Sequence, residues 1–177
     1  MPNDCPHFLR QAQNNAWANA TLYAVVAGMP NAAYEAKYPS FFGSLPRLLN
    51  HIYEVDLYYI DALVQGGLGR SVYVRDDIAD RTELAAAQAA SDQRLIDHCA
   101  GLEEADLADE LATERLDGMV MERRDWLLLH LFQHQVHHRG QAHAMLSQAG
   151  MDPPQLDDFY LRHGRVESAK AYWEDGA

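Results

Sequence analysis

Along the chain, apolar residues recur with the 3.6-residue period of a helix in four long stretches, and the breaks between them carry Gly, Pro and Asp. The first stretch predicts a helix from Pro6 to about Met29. The second runs from about Ser44 to Gln65, with Pro46 as its helix-start proline and the Gly66-Gly67-Leu68-Gly69 cluster as its stop. Asp80 and Glu83 form a capping-box pattern for a third helix, Thr82 to about Ala100, closed by Gly101. The fourth runs from about Arg124 to Ala149 and stops at Gly150, with Pro153 and Pro154 preventing a restart. Between Asp109 and Arg123 the helical period fades. There, Leu111–Arg115 and Met119–Arg123 flank an Asp117-Gly118 turn and predict a small hairpin between helices three and four.

This pattern implies an all-α fold, a four-helix bundle of up-and-down style with room for one long crossover. Residues 1–167 read as a single domain. Residues 168–177 read as a loosely held tail, with docking by Tyr172 and Trp173 as the alternative. Gly140, inside the fourth helix, costs about 1 kcal/mol relative to Ala, which suggests a close approach of some group to the backbone there.

The fourth helix places four of the nine histidines at His130, His134, His137 and His138. Advancing 100° per residue from Trp126, the apolar stripe of Leu127, Leu131, Ala142 and Met145 lies between roughly 100° and 160°. His134 falls at about 80° and His138 at about 120°, so this i, i+4 pair shares the core-facing stripe. His130, His137 and Gln141 fall between roughly 20° and 60°, at a pocket rim or in solvent. On the second helix, His51 stands beside the stripe of Leu48, Ile52, Val55, Tyr59 and Ala62. It is the best third partner for His134 and His138, while His7, His98, His143 and His163 lack a matching histidine for such a site.

Two readings follow. Buried histidines are often neutral and satisfied by protein groups. Three convergent imidazoles, by contrast, suit zinc, nickel or another divalent ion and leave a coordination position open for water or substrate. That open position would serve Lewis-acid chemistry on a water or a thiol. His130 to His134 lacks the glutamate of a HExxH protease, and there is no GxSxG, GxxxxGK[ST] or GxGxxG motif. Asp56 lies about 140° around its helix from His51 and reads as a partly buried carboxylate in a structural pair with Arg139 or an asparagine of the first helix. Phe132, Val136 and His143 form a second, weaker stripe that fits either a partner subunit or packing against the hairpin.

Composition narrows the function classes. A chain of 177 residues buries roughly 70% of its unfolded surface and needs no structural staple. A formal charge of -12 repels a phosphate backbone and an anionic membrane, which argues against nucleic acid and membrane partners. Apolar runs such as Leu22 to Met29 are far short of the roughly 20 residues of a membrane span. The amino terminus lacks the features of a secretory signal. Cys5 and Cys99 suit free thiols in a reducing cytoplasm better than a disulfide or a reactive thiol.

Several blocks together resemble a known family. These are Asn14-Asn15-Ala16-Trp17-Ala18-Asn19, Leu22-Tyr23, Phe41-Phe42-Gly43-Ser44-Leu45, Leu49-Asn50-His51 with Asp56, and His134-Gln135-Val136-His137-His138-Arg139-Gly140-Gln141. They are similar to the DinB-like (DinB/YfiT-like) metal-binding four-helix bundles, not to the DNA polymerase that shares the name. The resemblance covers about residues 8 to 163. It implies three-histidine coordination by His51, His134 and His138, a homodimer, and an activity of the thiol-dependent transferase or isomerase kind, although many members have no established reaction. A departure is Tyr58-Tyr59, where the family pattern leads us to expect a tryptophan.

The functional expectation is a metal-dependent enzyme, transferase, isomerase or hydrolase, acting on a small-molecule substrate. A low-molecular-weight thiol is its candidate co-substrate. The alternative is a non-catalytic metal-containing module for stress response or small-molecule binding.

Overall fold

A computed structural model describes residues 5–173. Residues 1–4, on which the absence of a signal partly rests, and residues 174–177 of the expected tail lie outside the described residues. The elements are α1 (Cys5–Ala27), α2 (Asn31–Tyr34), α3 (Leu45–Val64), α4 (Arg81–Ala100), β1 (Glu110–Arg115), β2 (Gly118–Arg123) and α5 (Arg124–Gln148). Short 3-10 turns occupy Gly69–Val74, Glu104–Ala108 and Glu167–Ala171. Among the described residues, no helix is long and apolar enough to cross a membrane.

Local chemistry sets the boundaries. Pro46 sits in the first turn of α3, where a missing N–H removes no helical bond. Asp80 Oδ1 accepts from the N–H groups of Thr82 and Glu83 at 2.9 and 2.8 Å, satisfying two orphan donors at the start of α4. The expected hairpin pairs β1 with β2 in antiparallel register, Arg115 opposite Gly118, and Gly118 turns the chain at φ +121°. The loop expected between the first two long helices contains the single turn α2.

The long helices form a ring in the order α1, α4, α3, α5, since α1 and α3 each pack on both α4 and α5. The links from α1 to α3 and from α4 to α5 therefore cross diagonals of the bundle, two crossings where the expected up-and-down path left room for one. Length permits this: 17 residues separate α1 from α3 and 23 separate α4 from α5, enough to reach the far corner.

The interior is layered. One apolar cluster contains Phe8, Val55, Tyr59, Leu95, Leu127 and Leu131. A second contains Leu22, Leu48, Leu49, Ile52, Leu84, Met145 and Leu146. Each fully buried Leu or Ile contributes roughly 1.5–3 kcal/mol. Between the two clusters lies a polar layer drawn from all four long helices: Asn15, Asn19, Asp56, Gln88, Asp92, Gln135 and Arg139, all buried.

A third cluster joins Trp17 and Ala18 to Phe159 and Ala169. Trp17 Nε1 donates to Ser168 Oγ at 3.1 Å, and the Trp173 ring stacks on Phe159. Residues 168–173 are thus docked, the second of the two readings of the terminal segment. Cys5 and Cys99 are buried in the first cluster, where burial pushes the Cys99 thiol up to about 12.

Two expectations are corrected. A Cβ at Gly140 would meet nothing within 4 Å among the described residues, so no close approach from them demands a glycine there. The second stripe of α5 does not pack as one surface: Phe132 is buried in the cluster with Phe8, His143 Nε2 lies 2.8 Å from the Pro154 carbonyl, and Val136 stays 56% exposed.

Candidate metal centre

One helical face and one facing helix build the site. His134 and His138 stand one turn apart on α5, and His51 faces them from the first half of α3. One ring nitrogen from each lies within 4.8 Å of the other two. His51 Nε2 and His134 Nε2 are 3.1 Å apart. Two nitrogens each about 2.0–2.1 Å from a tetrahedral ion stand about 3.3 Å apart, so the observed spacing fits a shared divalent cation with little movement. The imidazole rings converge, with centroids 4.2 Å apart for His134 and His138 and 4.7 Å for His51 and His138.

The residues suit a metal chemically as well. Burial, reinforced by His138, lowers His51 to about 4. Burial, then His138 and His51, lowers His134 to about 3, and burial likewise lowers His138. All three therefore present unprotonated nitrogens at neutral pH, the form that ligates metals. His138 Nδ1 lies 3.0 Å from Gln141 Oε1; with the proton on Nδ1 it donates to that oxygen and leaves Nε2 for the ion. Gln141 Nε2 in turn donates to His137 Nε2 at 3.0 Å.

The rim residues are arranged as the wheel suggests. His137 and His130 are exposed. The His130 ring packs on Tyr59 at 4.9 Å and lies 6.3 Å from His134, outside the triad. Tyr58 donates to the Glu114 carbonyl at 2.6 Å and Tyr59 Oη accepts from Arg115 at 3.2 Å, so the tyrosine pair anchors the hairpin beside this rim. His7, His98, His143 and His163 lie outside the triad.

Two features were not foreseen. Phe42, from the link between α1 and α3, lays its ring 4.6 Å from His51 and 5.4 Å from His138, covering one side of the triad. Its signal was the Phe41-Phe42 pair, which periodicity cannot place because it lies in a loop. The second feature is the polar layer behind the triad. Asp56 is fully buried rather than partly so, and its donors are Gln88 and Gln135, not Arg139 or an asparagine. Asp92 accepts from Asn15, Asn19 and Gln88. Arg139 donates to the side-chain oxygens of Asn15, Asn19 and Gln135. Gln135 and Arg139 are themselves an i, i+4 pair, one residue around the helix from His134 and His138, and that spacing was the available sign.

Comparison with known proteins gives the family and the fold. The sequence model of the DinB family matches residues 1–170. Protein DinB of Bacillus subtilis (strain 168) is 25% identical over 162 residues, covering 88% of this chain and 94% of its own. Crystal structures of a DinB-like protein from Bacillus cereus ATCC 10987 and one from Bacillus subtilis share the fold, with TM-scores of 0.60 and 0.61 at 16% identity. They cover 78% and 82% of this chain, and 90% and 96% of their own. With nearly its whole length matched, the chain belongs to the DinB family.

Proposed function

We propose that the protein is a metal-dependent enzyme that holds one divalent ion, zinc or nickel, through His51, His134 and His138. The observation that carries this reading is a set of three nitrogen donors within 4.8 Å, with no fourth protein ligand grouped with them among the described residues. A bound ion with an open position would act as a Lewis acid, making a water or a low-molecular-weight thiol nucleophilic near neutral pH. The chain's own residues then have defined tasks. Gln141 fixes the orientation of the His138 ring, Phe42 restricts water on one side, and His130 and His137 line the rim where a small-molecule substrate approaches. The reaction class is transfer, isomerisation or hydrolysis. The protein acts in the cytoplasm as a homodimer in this reading.

Elemental analysis of protein made without a histidine tag tests the site: one ion per chain is expected, and none in His138→Ala. If no metal co-purifies and none can be loaded, the proposal falls. Activity is tested separately, with low-molecular-weight thiols and electrophilic substrates, comparing wild type with His138→Ala.

Phe42 favours a second reading, a module in which the ion is structural, because its ring lies against two of the three imidazoles. That reading expects a large metal-dependent rise in melting temperature and no exchangeable water on the ion. Turnover abolished by chelation while the protein stays folded decides against it.

A further inference from the structure

The seam between α1 and α4 lies across the bundle from the α3–α5 seam that carries the triad. It opens into a groove of about 520 Å3. Its sides are alanines of both helices, including Ala20 and Ala89, and its polar lining includes Asn19, Tyr23, Gln88 and Asp92, with Gln93 and Tyr172 beside them. Small side chains alone would signify only close helix packing. Here the polar residues add an independent sign. Gln88 is 0% exposed and Tyr23 6%, and Gln88 Oε1 and Tyr23 Oη are buried with no hydrogen-bond partner among the described residues. Buried polar atoms are nearly always paired, so two orphans lining one groove point to a missing partner.

The charge of the missing partner follows from Asp92. Its described donors are the neutral amides of Asn15, Asn19 and Gln88. Arg139 reaches this region through asparagine oxygens. Asp56 adds a second buried carboxylate on the far side of Gln88. Burial first, and Asp56 next, push the Asp92 carboxyl up to about 8 against the opposing pull of its amide donors and the Arg139 charge, so one guanidinium does not balance two buried acids.

We propose that the α1–α4 groove is a second small-molecule site, distinct from the histidine triad, for a compound with a primary ammonium head and a compact apolar body. The head supplies donors to Gln88 Oε1, Tyr23 Oη and the Asp92 carboxylate, and the body lies between the alanines. An ammonium carries three donors for these three acceptors and brings the charge that a water or an alcohol lacks.

The probe is n-hexylammonium, titrated into isotopically labelled full-length protein and followed by backbone amide shifts, with hexan-1-ol and hexanoate as controls. Expected are saturable shifts at Ala20, Ala86 and Ala89, affinity for hexan-1-ol weaker by about tenfold or more, and no response to hexanoate. Ala89→Phe places a ring in the groove from an exposed position and weakens hexylammonium by about tenfold or more, with melting temperature retained. His138→Ala leaves the binding unchanged, which separates this site from amine ligation at a metal. Four results overturn the proposal. They are no saturable binding, equal affinity for the alcohol, shifts confined to the surroundings of His51 and His138, or a dimer that dissociates in Ala89→Phe and so shows the groove covered by a second copy.

Discussion

The α3–α5 seam and the middle of the bundle both interrupt an apolar interior, and they do so in opposite ways. In the triad, nitrogen lone pairs converge; His134 Nδ1 is buried without a partner among the described residues, and His51 and His134 face each other nitrogen to nitrogen. In the central layer, carboxylates, amides and a guanidinium interlock so that Asp56, Asp92 and Arg139 all have partners. The first arrangement suits an added cation. The second is a structural insert that links the four long helices at one level, and its polar groups are costly to leave unpaired.

The largest test of this contrast is Arg139→Ala. It leaves the buried side-chain oxygens of Asn15, Asn19 and Gln135 without their donor, removes the guanidinium charge near Asp56 and Asp92, and should destabilise the fold by about 3–5 kcal/mol in urea denaturation. A variant as stable as wild type would mean that the layer is not a single network. His138→Ala should do the reverse, leaving the metal-free protein close to wild-type stability while lowering metal affinity by more than about 100-fold in a chelator competition. Equal loss of stability in both variants would erase the distinction. Gln141→Ala is expected to be milder, about 10- to 100-fold in affinity, because the ligand remains and only its orientation is freed. A cobalt-loaded sample should show an altered visible spectrum in that variant.

The smallest effect is in pH dependence, where the two regions carry opposite signs. Burial lowers the folded-state values of the triad histidines, so the unfolded chain takes up protons first and the metal-free protein loses stability as pH falls from about 6.5 toward 4. Burial raises Asp56 to about 6 and Asp92 to about 8, so the folded state holds the extra proton. That contribution is fully present below the ordinary aspartate range and is lost as pH rises toward 8. One proton contributes at most about 1.4 kcal/mol per pH unit. Asp92→Asn should therefore flatten the decline between pH 6 and 8, measured by urea midpoints; an unchanged slope would assign it to another group.

Much of the frame was legible because its signals are local. Caps and breakers at Pro46, Asp80 and Gly150 placed the long helices to within about two residues, and Asp117-Gly118 placed the hairpin. His134 and His138 were readable from spacing alone, and His51 from its place beside a matching apolar stripe. The central layer was not, because Gln88, Gln135 and Asp92 look like solvated helix positions until four helices meet. The same oversight narrowed the inferred core of α5: its buried arc extends to Gln135 and Arg139, so the triad occupies an interhelical seam rather than the bundle axis. The ring order was hidden as well, since linker length permits a diagonal crossing without requiring it.

Phe42 separates two kinds of inheritance within one site. The three histidines are fixed by helices whose opposite faces hold the bundle together, so moving any of them disturbs the scaffold. The ring that shelters them comes from the link between α1 and α3, where sequence can change with little penalty to the helices. Relatives could keep identical imidazole donors while exchanging this single aromatic cover, and what reaches the donors would change with it. The range of molecules accepted by such a bundle would then be written in its least regular segment, and swapping that segment between two relatives would transfer the preference without rebuilding the centre.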